Sequence, residues 1–187
     1  MNTLFISFNA FLLLFIFLVG GLNKIINFKD TVNSLETQIN TIKLTPTFII
    51  AIIITIIYFY IILNDQIYNK NKNLYLFLLS IISITIIGIP LLVFFKKYLK
   101  QASTLIYNTT ILGVIMLLLF GSLLILYSLC TSMYQDYAYV STIGLATFTA
   151  MTILIFHFPT NKSEIISFIK NLSIFGGLML LSQQFII

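Results

Sequence analysis

Long apolar stretches with almost no charge run the length of this chain of 187 residues. A transmembrane helix needs about 20 apolar residues to cross the hydrocarbon core of a bilayer. Six stretches meet this requirement, approximately residues 3–22, 46–63, 74–95, 105–130, 138–158 and 165–187. Charged residues make up only 8% of the chain, whereas soluble domains carry roughly 25%. The sequence therefore predicts an all-α integral membrane protein, a bundle of about six transmembrane helices in one multi-pass domain over residues 1–187.

The lysines divide unevenly between the loops. Only two lysines, Lys70 and Lys72, fall in loop two. The other eight fall at loops one, three and five: Lys24, Lys29, Lys43, Lys96, Lys97, Lys100, Lys162 and Lys170. Cytoplasmic loops of membrane proteins are enriched in Lys and Arg. Loops one, three and five are therefore expected in the cytoplasm, or its equivalent in an organelle, with both termini on the opposite side.

Two segments have a distinctive pattern of polar residues. The fifth stretch is rich in hydroxyls, with Ser141, Thr142, Thr147, Thr149 and Thr152; each hydroxyl can bond the carbonyl one turn back, so this helix is expected to face other helices. The polar segment 23–45 has apolar residues spaced three or four apart. That spacing predicts an amphipathic helix lying in the membrane interface after the first span.

Four polar residues are expected at one membrane face. Lys24 leaves the first span, His157 leaves the fifth, and Lys170 and Asn171 enter the sixth. If spans one, five and six pack together, these side chains form a shallow ligand-binding pocket that suits a quinone headgroup, a lipid headgroup or the end of a peptide. The simpler interpretation is that both lysines extend to the headgroups and that Asn171 starts a helix or bonds a neighbouring one. His157 is the one candidate proton carrier. The alternative is that His157 is a structural residue, because no carboxylate lies close to it in sequence.

Two glycine pairs, Gly20 with Gly21 and Gly176 with Gly177, are expected to let helices approach closely, because small residues allow backbones to touch in a membrane. The cores of the six stretches contain no Asp, Glu or Lys, which argues against a proton pump, a channel with a charged filter or a proton-coupled carrier. A single Cys130 excludes an internal disulfide and a four-cysteine zinc site. No metal site, resident cofactor or catalytic group of residues is predicted. Nucleic-acid binding is not expected either, because the lysines are scattered between apolar spans.

Three segments resemble a known family. They are Phe17–Phe28 with Gly-Gly-Leu-Asn-Lys, Phe156–Pro159 with Phe-His-Phe-Pro, and Phe168–Leu181 with Lys-Asn followed by Gly-Gly-Leu. In this order they resemble the DoxX-like membrane protein family and the related surfeit-locus cargo receptors. The resemblance covers the first span and the chain from about Leu105 onward, and it implies a four-helix core. The chain departs from the family in having two additional spans between Pro46 and Phe95 and no arginine.

Two classes of function follow. The first is a non-catalytic or accessory multi-pass subunit, DoxX-like, within a larger membrane assembly, with the lipid bilayer and other membrane protein subunits as partners. The alternatives are a membrane subunit of a quinone-linked oxidoreductase, whose partner would carry the redox centre, and a cargo- or lipid-binding membrane receptor. Quinone and lipid are the ligands that these alternatives imply.

Overall fold

The structure is a computed structural model that describes residues 3–41, 46–63, 103–159 and 162–185. Within these ranges the chain is helical and contains no strand. The helices are α1 (Thr3–Ile26), α2 (Phe28–Thr41), α3 (Pro46–Leu63), α4 (Ser103–Met116), α5 (Ser122–Thr131), α6 (Gln135–Phe156) and α7 (Lys162–Ser182). A π-helical turn, Leu117–Gly121, joins α4 to α5, and a 3₁₀ turn, Gln183–Phe185, follows α7.

Four helices are long and apolar enough to cross a membrane: Phe5–Ile26, Thr104–Thr131, Gln135–Phe156 and Glu164–Phe185. Their 22 to 28 residues correspond to about 33–42 Å at the α-helical rise of 1.5 Å per residue, enough for a hydrocarbon core of about 30 Å. The all-α membrane-type fold predicted from the sequence is thereby confirmed. Helix α3 has the bounds expected for the second span but is not one of these four candidate spans. The third predicted span, 74–95, lies outside the described residues.

The four long helices form a closed ring. Helix α1 packs against the continuous α4–α5 helix, α5 packs against α6, α6 packs along α7, and α7 returns to α1. Only three residues separate α5 from α6 and the ends of α6 and α7 are joined by a short connection, so each of these pairs is antiparallel. This arrangement is a four-helix bundle, with α3 lying against the outside of α6.

Helix α6 lies at the centre of the packing. It contacts α7, α5, the π turn, α3 and α2, and its buried residues include Ala138, Ala146 and Ala150. The threonine hydroxyls that face the interior donate to their own helix: Thr142 to the Ala138 carbonyl at 2.8 Å and Thr147 to the Ile143 carbonyl at 2.9 Å. The hydroxyl-rich fifth span therefore faces other helices, as its sequence predicts.

The amphipathic helix α2 has its apolar side covered by protein. Its buried residues Val32, Leu35 and Ile39 pack against three residues of α4, namely Tyr107, Ile111 and Ile115. The 28-residue α4–α5 helix rises about 42 Å, more than the hydrocarbon core requires, so its first turns offer α2 a protein surface. The predicted amphipathic helix therefore exists, from Phe28 to Thr41, but α4 takes the place that lipid was expected to fill.

One end of the bundle collects three helix termini. Phe28, at the start of α2, and Phe156, at the end of α6, pack against the same cluster as Tyr107 near the start of α4. All the described lysines belong to segments at this end: Lys24, Lys29, Lys162 and Lys170. We call it the lysine end, and the end where α5 meets α6 the tyrosine end.

The α1 glycines provide a test of this packing. A Cβ atom at Gly21 would lie 2.7 Å from Leu119 Cδ2 and 2.8 Å from Leu119 Cγ, whereas at Gly20 it meets nothing within 4 Å among the described residues. We expect Gly21→Ala to destabilise the protein by about 1–3 kcal/mol through overpacking. The matched control Gly20→Ala should be neutral or up to about 1 kcal/mol stabilising, because Ala favours helix over Gly. Thermal unfolding of both variants in detergent measures the difference, and equal stability would contradict the α1–α4 contact.

Candidate functional site

The candidate site lies at the lysine end. The packing of Phe28 and Phe156 in one cluster places Lys24, one turn before Phe28, and His157, directly after Phe156, at the same end of the bundle. Helix α7 starts at this end with Lys162 and carries Lys170 and Asn171 in its third turn. Lys24 and His157 thus lie at the ends of α1 and α6, whereas Lys170 and Asn171 lie eight and nine residues past the start of α7. No direct contact between the side chains of these four residues is recorded.

The two lysines differ in exposure. Lys24, in the last turn of α1, is half-buried, whereas Lys170 on α7 is exposed. A half-buried lysine at a helix end can cover apolar surface with its stem while its ammonium reaches water. Its positive charge also opposes the partial negative charge of the α1 carboxyl end, which is a favourable arrangement. Both lysines therefore have a structural explanation that needs no ligand.

Asn171 is engaged by its own helix. Its Nδ2 donates to the Ser167 carbonyl oxygen at 3.0 Å, and the side chain is half-buried. Helix α7 begins nine residues earlier, at Lys162, so Asn171 does not start it. The bond is of the kind that Ser173 makes on the same helix, where Oγ donates to the Ile169 carbonyl at 3.0 Å.

His157 has an acidic partner. Its Nδ1 lies 3.2 Å from Glu164 Oε2, and about a third of each side chain is exposed. His157 is the first residue after α6, and its backbone N–H donates to the Ile153 carbonyl at 3.1 Å. Glu164 occupies the first turn of α7, where a carboxylate is favoured by the helix dipole. The pair therefore links the end of α6 to the first turn of α7.

Sequence reasoning missed Glu164 because it looked for a carboxylate next to His157 along the chain. The two residues are seven positions apart, and the connection between them turns back on itself. A usable signal was present in Pro159, Thr160 and Asn161, since such residues between two apolar helical runs mark a tight connection. A short helix-to-helix connection brings the residues on either side of it together.

The four glycines fall into two groups. At Gly177 a Cβ would touch the Leu13 methyl groups at 3.4 Å, so this residue lies at the contact between α7 and α1. Gly21 faces Leu119 and Leu118 on the α4–α5 helix instead. Gly20 and Gly176 have no neighbour within 4 Å of such an atom in the described ranges. One glycine of each pair, Gly21 and Gly177, therefore lies in contact with a neighbouring helix.

Two serines in the interior were not singled out from the sequence. Ser122 and Ser128 on α5 are buried, and their hydroxyls have no hydrogen-bond partner among the described residues. Ser122 directly follows the π turn, whose backbone departs from the regular α-helical pattern. π-helical turns of this kind are frequent at functional sites. In the same described ranges no group of three or more His, Cys, Asp or Glu side chains is placed to hold a metal ion.

Comparisons with protein-family models, with curated proteins and with solved structures give no match to this chain. The resemblance to DoxX-like proteins therefore depends on the three segments of sequence described above. Function has to be argued from the bundle and its two ends.

The His157–Glu164 pair can be measured by a double-mutant cycle with His157→Gln, Glu164→Gln and the double variant. We expect a coupling free energy of about 0.5–1 kcal/mol, as for partly exposed pairs, because each single substitution removes the same 3.2 Å contact. Unfolding of the four proteins in detergent gives the coupling. Effects of the two single variants that simply add in the double variant would contradict the pair.

Proposed function

We propose that this protein is a non-catalytic or accessory multi-pass membrane subunit, DoxX-like in sequence, that works within a larger membrane assembly. The observation that carries the proposal is the chemistry of the bundle interior. Apart from Tyr107 and Tyr139, every buried residue with a polar side chain in the described ranges is a serine or threonine: Ser122, Ser128, Thr142, Thr147, Thr149 and Ser182. Such an interior holds helices together, whereas proton and ion paths through membranes use ionisable side chains.

The outer surface supports a role in contact with lipid and other membrane helices. Helix α1 exposes Phe8, Phe11 and Phe15, with 60%, 42% and 52% of each residue accessible. Helices α3, α4–α5 and α7 expose further large apolar residues. Lipid tails or apolar helices of a partner subunit would each cover these faces.

We propose the topology that the lysines predict: six spans, with loops one, three and five in the cytoplasm or its equivalent. The antiparallel packing of α5 with α6 and of α6 with α7 supports alternating directions for these helices. A cysteine added after Ile187, in a background with the exposed Cys130 changed to serine, should react with an impermeant reagent only from the non-cytoplasmic side. A cysteine replacing the exposed Lys29 should give the opposite result. Labelling of both positions from one side would overturn the proposed topology.

A second candidate function draws on the lysine end itself. The half-buried Lys24 and the His157–Glu164 pair place a cation and a proton-exchanging group at one end of the bundle. A quinone headgroup could take a hydrogen bond from either, and an anionic lipid headgroup or cargo end could pair with the lysines. This observation supports a quinone-linked oxidoreductase subunit or a cargo- or lipid-binding receptor, in which the redox centre or cargo belongs to a partner.

Asn171 provides the functional test. We expect Asn171→Ala to keep the partner subunit on purification in mild detergent, at a stability cost of about 0.5–1.5 kcal/mol, because its amide donates to its own helix. Ser173→Ala is the matched control, since it removes a similar bond from the same helix. Loss of the partner in the Asn171 variant alone would assign this residue to a binding pocket. Recovery of the parent protein as a monomer with bound quinone would overturn the proposal in favour of the quinone-linked subunit.

A further inference from the structure

The connection between α5 and α6 has an unusual backbone. Ser132 and Tyr134 both adopt the left-handed conformation, each with φ of 58°, and neither is glycine. Residues other than glycine adopt this conformation at a cost in free energy, and such residues cluster at functional sites. Here the connection is only three residues long, so two of its three residues are held in this conformation.

Three tyrosine rings cluster around this connection. The Tyr127 and Tyr134 ring centroids are 6.3 Å apart, and Tyr134 meets Tyr137 edge to face at 6.2 Å. The Tyr127 hydroxyl lies 4.0 Å from the Met133 sulfur. The three tyrosines are 48–65% exposed. The strained backbone thus presents an open group of rings, with Tyr134 between the other two.

The charge nearest to these tyrosines in the sequence is negative. Asp136, in the first turn of α6, is exposed and lies between Tyr134 and Tyr137 in sequence. It is the only charged residue between Lys100 and His157, and it has no ion-pair partner among the described side chains. The described lysines belong to the opposite end of the bundle. Ring faces and a carboxylate together favour a cation, and they favour most a weakly hydrated one that can lie against the rings.

The depth of the cluster in the membrane points to the source of that cation. Candidate spans end at Thr131 and begin at Gln135, so the connection lies where a helix leaves the hydrocarbon core and meets the lipid headgroups. We propose that Tyr127, Tyr134, Tyr137 and Asp136 form a binding site for the trimethylammonium group of a choline phospholipid. The rings contact the methyl groups through cation–π attraction, and the carboxylate adds an opposite charge. Tyrosines that only anchor a helix at the interface would not need the carboxylate.

The site is tested by native mass spectrometry of the protein in detergent with equal amounts of phosphatidylcholine and phosphatidylethanolamine, two zwitterionic lipids whose headgroups differ in the methyl groups on nitrogen. We expect the parent protein to retain phosphatidylcholine preferentially. Tyr134→Leu should weaken that preference roughly two- to thirty-fold, the range of cation–π contributions. Asp136→Asn should also weaken it, because it removes the opposite charge. Tyr134→Phe should keep it, because the phenyl ring also attracts cations. Tyr60→Leu is the matched control, an exposed tyrosine on α3.

Equal retention of the two lipids by the parent protein would overturn the proposal, as would unchanged preference in both Tyr134→Leu and Asp136→Asn. Either result would leave the rings as interfacial anchors only. If Tyr134→Leu fails to fold, Tyr137→Leu takes its place, because Tyr137 belongs to regular helix.

Discussion

The bundle depends on α6 being able to lie among other helices without leaving its polar groups unpaired. A hydroxyl in an apolar interior is costly unless it is hydrogen-bonded. The hydroxyls of Thr142, Thr147 and Thr149 avoid this cost, because each donates a hydrogen bond to the carbonyl four residues earlier in its own helix. Because these bonds need no partner helix, every side of α6 remains free for packing. The other helices can then surround it.

Close packing on α6 also depends on small residues at defined points. A Cβ at Gly144 would lie 3.0 Å from Leu117 Cδ1, and one at Gly121 would lie 3.4 Å from the same atom. Leu117 opens the π turn, so this irregular turn places a leucine against two glycines at once. Ser122 follows directly, buried and without a hydrogen-bond partner in the described ranges. The π turn therefore combines a tight apolar contact with a buried hydroxyl that has no partner among the described residues.

The sequence predicted the helices well and the contacts between them less well. The apolar runs 105–130 and 138–158 correspond to helices Thr104–Thr131 and Gln135–Phe156, because run length and hydropathy are local properties. What covers α2 was not predictable in the same way, since only the folded chain shows that Val32, Leu35 and Ile39 pack against α4. The His157–Glu164 pair depends on the path of the connection between α6 and α7. Pro159 indicates a tight connection there, but the sequence does not give the distance between the two side chains. Which glycine of each pair makes contact depends on helix rotation, which adjacent residues in a sequence do not reveal.

The two ends of the bundle present different chemistry to the two membrane surfaces. At the lysine end, α2 covers α4, and the four described lysines belong to segments that also carry the carboxylates Asp30, Glu36 and Glu164. Lysines near a membrane surface attract anionic headgroups. At the tyrosine end the described charge is the single Asp136, and the three-residue connection is exposed. The same charge asymmetry that orients a chain in the membrane thus also leaves each end suited to a different headgroup. Orientation and lipid preference can therefore arise from one distribution of lysines, without any charge being placed inside the bundle.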